Sequence, residues 1–108
     1  MSTQLPNPIA TFFEVSNGAD SALLAQCFAP GATVHDEGRT HQGHAAIRAW
    51  LQEAQRLYEY SVEPLEASQQ GTSIRVLARV VGNFPGSPVQ LEHLFRLSGD
   101  RIASLEIG

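Results

Sequence analysis

Two ionisable residues stand where an alternating strand pattern points into a core. In the run Ala32-Thr33-Val34-His35-Asp36-Glu37, Val34 and Asp36 project to one side, and Thr33, His35 and Glu37 project to the other. A strand that buries Val34 therefore carries Asp36 inward. A carboxylate removed from water is costly unless it is paired, hydrogen-bonded or protonated. Asp36 is thus either an acid/base group or a carboxylate at a strand end, accepting backbone N–H bonds in the turn at Gly38. His93, between Leu91 and Phe95 on an apolar strand face, is open to the same two readings, a proton-handling imidazole or a satisfied structural histidine.

The other candidate groups carry less chemistry. His35, His41 and His44 fall within ten residues, but the spacing H-x5-H-x2-H matches no dependable ligand geometry, and no metal or other cofactor is expected. Glu37 and Arg39 read as solvated charges, and Thr40 and Gly43 as the turn and cap leading into a helix. Cys27, the single cysteine, has no partner for a disulfide or a CxxC motif and reads as a small apolar residue.

The elements that position these groups are legible from periodicity. Pro6 and Pro8 suit a helix start, with Ile9, Phe12, Phe13 and Ser16 on one side before Asn17-Gly18 ends it. Asp20 or Ser21 caps a second helix with the stripe Leu23, Leu24, Cys27, Phe28, stopped at Pro30-Gly31. From about Gly43, Ile47, Trp50, Leu51, Ala54, Leu57 and Tyr58 recur at helical spacing and predict a third helix. The period then falls to two, with turn signals at 69–71, 85–88 and 98–100 separating four antiparallel strands. From Thr72 to Phe84, residues Ile74, Val76, Ala78, Val80 and Phe84 share the core face. In the next strand Val89, Leu91, His93, Phe95 and Leu97 do so. Three amphipathic helices need an apolar surface, so they pack on one face of a curved sheet in a two-layer α+β fold.

At 108 residues the chain reads as one domain spanning 1–108, with enough length to form a core without staples. With 43% hydrophobic and 17% charged residues it matches a globular chain rather than a disordered one. A formal charge of -4 without a Lys/Arg cluster argues against nucleic acid as a partner. No apolar run approaches a bilayer span and MSTQLPNP lacks signal-peptide features, so no membrane association is expected and the cytoplasm is the expected location. The outer sheet face mixes Leu77, Val81 and Leu94 with Arg75, Arg79, Gln90, Glu92 and Arg96. That is more apolar than a fully solvated face, and a homodimer through this face is expected.

The motif F-A-x-x-A-T-V-x-D, Phe28 to Asp36, followed by G-x-A-A-I-R, Gly43 to Arg48, resembles the nuclear transport factor 2-like superfamily in its SnoaL-like and ketosteroid-isomerase-like branch. The resemblance covers essentially the whole chain. It implies a cone-shaped, strongly curved mixed or antiparallel sheet, with the three N-terminal-half helices on its concave face around a deep apolar pocket, and commonly a dimer. Asp36 matches the carboxylate that moves a proton next to a carbonyl in such isomerases, and that serves as acid or base in SnoaL-like cyclases. The isomerase tyrosine position corresponds to Phe12 and a supporting tyrosine to Leu51, neither of which carries an O–H. Aligning LEHLFRL through Phe-Arg places His93 at the second donor position, whereas a one-residue shift places Glu92 there.

The implied function is proton transfer of isomerase, cyclase or dehydratase type on a small apolar carbonyl compound. Asp36 is then the general acid/base, His93 a substrate-oxygen donor, and Phe12, Val34, Trp50, Val76 and Phe95 the pocket lining. With its donors changed, authentic steroid isomerisation is not what this site implies. The alternative is a non-catalytic small-ligand-binding or dimerisation module of the same fold.

Overall fold

A computed structural model describes residues 5–108; the reading of MSTQ as free of signal features falls on residues outside that range. Helix α1 spans Asn7–Ser16, with Pro6 at its N-cap and Pro8 in its first turn, and buries Ile9, Phe12, Phe13, Val15 and Ser16. A 3₁₀ turn, Ser21–Leu23, is capped by Asp20, whose carboxylate accepts from the Ala22 N–H at 3.0 Å, and runs into the short α2, Leu24–Cys27. Helix α3 spans His44–Leu57 and buries Ile47 and Leu51. No helix among the described residues is long and apolar enough to cross a membrane.

Six strands form one curved, unclosed sheet: β1 Phe28–Asp36, β2 Arg39–Gln42, β3 Tyr60–Gln70, β4 Ser73–Gly82, β5 Val89–Ser98 and β6 Arg101–Ile107. Their order is β2-β1-β6-β5-β4-β3. The expected meander β3 to β6 is present. Strand β1 joins β6 in parallel, which makes the sheet mixed. Register shifts between Phe28 and Thr33, Pro64 and Glu66, and Arg96 and Leu97 add bulges that bend the strands around the helices.

One sequence expectation changes here. Arg39 to Gln42 is not simply a turn into α3 but an edge strand paired with β1, Asp36 opposite Arg39 and His35 opposite Thr40. The two-residue connection makes this possible: Glu37 and Gly38 both have positive φ, 52° and 74°, which is the twist a tight hairpin needs. Gly43, at φ 86°, then turns the chain into α3 while its N–H bonds the Ala32 carbonyl at 2.9 Å.

The core lies between helices and sheet, in layers set by period-two strands. Val34 pairs with Leu105, Leu105 with Phe95, and Phe95 with Ile74, all of them buried. Phe12 meets Phe13, Phe28 and Phe95 edge-on with ring centroids 5.3–5.9 Å apart, so α1 is keyed into the sheet by aromatic contacts. Asn17 ties the end of α1 to edge strand β3. Its side-chain amide donates to the Val62 carbonyl at 2.8 Å, and its side-chain oxygen accepts from the Val62 N–H at 2.6 Å.

Candidate functional site

Beyond the closed core, the inner face of the sheet opens into a cavity of about 430 Å³ between α1, α3 and the strands. Phe12, Leu51, Val62, Val80, Leu91 and Ile107 supply apolar wall. Glu37, Tyr58 and Pro85, all exposed, stand at its mouth. Phe84 lies beyond the end of β4 rather than within it, and packs edge-on against Tyr58 with centroids 6.1 Å apart.

Asp36 is the last residue of β1 and points inward with Val34, as alternation requires, but it is half-buried because the strand ends there. Its Oδ2 accepts a hydrogen bond from Trp50 Nε1–H at 3.0 Å, and Oδ1 has no partner among the described residues. The carboxylate therefore does not spend itself on backbone N–H groups in the hairpin. Trp50 in turn lies parallel to Phe12, with centroids 6.3 Å apart, so both walls hold the indole that orients the acid.

His93 is 4% exposed on the inner face of β5, opposite Val76 on β4 and Ile107 on β6. Glu92 faces outward, with its carboxylate 3.6 Å from Arg75, and His93 rather than Glu92 lines the cavity. His35 lies level with Glu106 in the parallel β1–β6 pair. One residue further, Asp36 stands beside Ile107, and Asp36 and His93 flank that residue two strands apart, roughly 10 Å between backbones. They face one space without bonding each other directly.

The donor expected of His93 is used within the protein. Its Nδ1 lies 3.3 Å from the Leu91 carbonyl, which can only accept, so Nδ1 carries the hydrogen. Burial pushes the His93 pKa below the usual histidine range, opposed by the Leu91 carbonyl and by the Asp36 charge. The neutral ring then has its lone pair on Nε2. No buried side-chain nitrogen or oxygen among the described residues lacks a partner, so Nε2, which bonds nothing, keeps access to the cavity.

Of the expected lining, Phe12 and Trp50 are on the wall. Val34, Val76 and Phe95 are not: each is 0% exposed and sealed in the layer beneath, because the cavity occupies only the end of the sheet nearest Asp36. Glu37, expected to face away, reaches the mouth because its positive φ breaks the alternation. Tyr60, the first residue of β3, is with Ser16 and Tyr58 a hydroxyl-bearing lining residue that the sequence reading did not single out. Its place beside Gly82 comes from the β3–β4 register, which the sequence does not display. Burial and then the Asp36 charge raise the Tyr60 pKa above the ordinary phenol range, keeping it protonated.

The three clustered histidines separate. His35 Nδ1 meets Thr40 Oγ1 at 2.9 Å on the outer side. His41 lies near Trp50 with centroids 6.0 Å apart, and His44 Nε2–H donates to the Phe28 carbonyl at 2.8 Å. Arg39 is exposed, and no ion pair joins it to Glu37 among the described residues.

A family model described as SnoaL-like domain matches residues 9–105. A solved structure from Sinorhizobium meliloti, named as a candidate polyketide cyclase, is 42% identical, with 96% of this chain and 95% of that one covered and a TM-score of 0.92. A protein of ketosteroid isomerase-like fold from Catenulispora acidiphila, solved with trimethylamine, is 22% identical over 97% and 86% of the two chains at TM-score 0.84. A candidate isomerase of the SnoaL-like family from Agrobacterium tumefaciens is 18% identical over 93% and 92% at TM-score 0.79. No curated protein sequence matches the chain.

Proposed function

Since this chain belongs to the SnoaL-like domain family, we propose that it catalyses proton transfer on a small, largely apolar carbonyl compound, an isomerisation or cyclisation with Asp36 as general acid/base. The carrying observation is the half-bonded carboxylate. One oxygen is held by Trp50 Nε1–H, and the other is free at a mainly apolar cavity that His93 also lines. Asp36 takes a proton from a carbon next to the carbonyl. The C–H electron pair becomes a C=C bond, and the carbonyl π pair moves to oxygen as an enolate. Returning the proton to a different carbon completes an isomerisation; attack of the enolate carbon on a second carbonyl, with the proton delivered to the new alkoxide, completes a cyclisation. A base positioned in this way contributes roughly 10²–10⁴-fold.

The 42% identical relative named as a candidate polyketide cyclase supports this class of chemistry. Convergent polar groups in the cavity favour it over a non-catalytic binding module, which needs apolar wall alone.

The test uses cyclohex-3-enone, whose carbon between C=O and C=C is acidic, with conjugation to cyclohex-2-enone followed by ultraviolet absorbance and deuterium uptake by NMR. Wild-type protein accelerates both, and Asp36→Asn loses on the order of 10²-fold or more. Equal rates in the two proteins would remove Asp36 from the chemistry. Saturable binding of the probe without any turnover would favour the binding module.

A further inference from the structure

An enolate oxygen forming in this cavity needs a hydrogen-bond donor, and the side chains on the wall can be taken one at a time. Ser16 Oγ–H is spent on the Phe12 carbonyl at 2.9 Å. Trp50 Nε1–H is spent on Asp36, and His93 Nδ1–H on the Leu91 carbonyl. The free nitrogen of neutral His93 accepts, as do the oxygens of Asp36 and Glu37. No arginine or lysine among the described residues lines the cavity. Among the described residues two hydroxyls remain, and Tyr58, 41% exposed, belongs to the mouth. Tyr60 is half-buried, packs against the core, and its hydroxyl bonds nothing among the described residues.

We infer that Tyr60 is the oxyanion donor of this site, its O–H bonding the carbonyl oxygen of the substrate as negative charge develops there; this rests on the proton-transfer reading above. The surroundings hold the ring in place. Tyr60 pairs with Gly82 across β3 and β4, and a Cβ on Gly82 would stand 2.7 Å from the Tyr60 Cβ and also collide with the Glu59 carbonyl oxygen. Only glycine lets the two strands meet as they do. Two residues on, the Asn17 side chain grips both polar groups of the Val62 backbone, anchoring the start of β3 to α1. The raised pKa of Tyr60 keeps the proton on the phenol, where a donor needs it.

The donor assignment also narrows the ligand. With acceptors at Asp36, Glu37 and His93 and one inner donor, the site suits a neutral carbonyl compound and disfavours a carboxylate or phosphate.

The experiment compares wild type, Tyr60→Phe, Tyr58→Phe and Asp36→Asn, with circular dichroism as a folding check. Two readouts are taken: steady-state turnover of cyclohex-3-enone, and the infrared carbonyl stretch of bound cyclohex-2-enone. Tyr60→Phe should lower kcat about 10²-fold, with a smaller change in KM, and should move the carbonyl band up toward its value in an apolar solvent. An unchanged band and kcat in Tyr60→Phe, with Asp36→Asn still inactive, overturns the donor assignment while leaving the base in place. A band that moves only in Tyr58→Phe overturns it in favour of the rim. Full turnover by Asp36→Asn defeats the underlying proton-transfer reading instead.

Discussion

Trp50, on the second turn of α3, donates its indole N–H to Asp36, the final residue of β1, at 3.0 Å. One contact joins the helix layer to the sheet at the point where the sheet ends. It holds Oδ2 and fixes which oxygen faces the cavity. Phe12, lying parallel to the indole, holds the donor in turn.

Replacing Trp50 by Phe retains the aromatic wall and removes the N–H. Hydrogen bonds to charged groups contribute about 1.5–3 kcal/mol, and half-burial of Asp36 places this one at the lower end. Turnover should fall about tenfold, and Tm should fall by several degrees, on the order of 5–10 °C. Equal turnover in Trp50→Phe would show that the bond does not orient the acid.

His93 makes stability depend on pH. Its folded pKa lies below its ordinary value of 6.5, so the unfolded chain takes up the proton first as pH falls. This contribution is fully present above about pH 6.5 and is lost progressively as pH drops through the folded pKa. Urea unfolding of wild type and His93→Gln across that window should give a stability difference that shifts against the wild type on acidification. A difference independent of pH would refute it.

Phe95 belongs to the closed core rather than to the cavity wall, with edge contacts to Phe12 and Phe13 at 5.7 and 5.9 Å. Phe95→Ala should cost about 3–5 kcal/mol of stability. Phe95→Leu, which leaves a smaller void, should bind cyclohex-2-enone as the wild type does at a temperature where both are folded. A large loss of affinity in folded Phe95→Leu would return this residue to the wall.

Cys27 is 1% exposed, and burial pushes its thiol up to about 11. A native sample at pH 8 should react with a disulfide reagent only as fast as it unfolds, whereas urea-denatured protein should react at once. Prompt labelling of folded protein would contradict this environment.

The outer sheet face carries Leu77, Leu94 and Val81 among the Arg75–Glu92 pair, Arg79 and Arg96, and a second copy on this face would cover its apolar side chains. Light scattering should give twice the chain mass at micromolar concentration, and Leu94→Glu should give a monomer. A wild-type monomer would leave this face without a partner of its own kind.

Much of this site was legible before the fold. Alternation alone turned Asp36 inward with Val34 and set His93 between Leu91 and Phe95, because a strand gives each residue only two directions. The same rule misled at Glu37, where positive φ ended the alternation, and it was silent on Tyr60, which opens a strand whose first residues carry little pattern. Val34, Val76 and Phe95 faced the correct side but sit too deep. Direction is local; depth depends on where helices stop covering the sheet.

By itself the sequence determined α1, α3, a helical turn before β1, the four-strand meander and the inward side of β1, β4 and β5, since these follow from periodicities carried within ten or so consecutive residues. It carried that second helix through Phe28 toward Pro30-Gly31, whereas α2 ends at Cys27 and Phe28 opens β1. Only the tertiary structure decided the parallel union of β1 with β6, the edge strand at Arg39–Gln42, the Trp50 bond to Asp36 and the loss of the His93 N–H to Leu91. Each of these depends on register and on the meeting of chemically flexible side chains. Hydrophobic burial selects a face, but which side-chain hydrogen bonds can be made depends on how the layers meet.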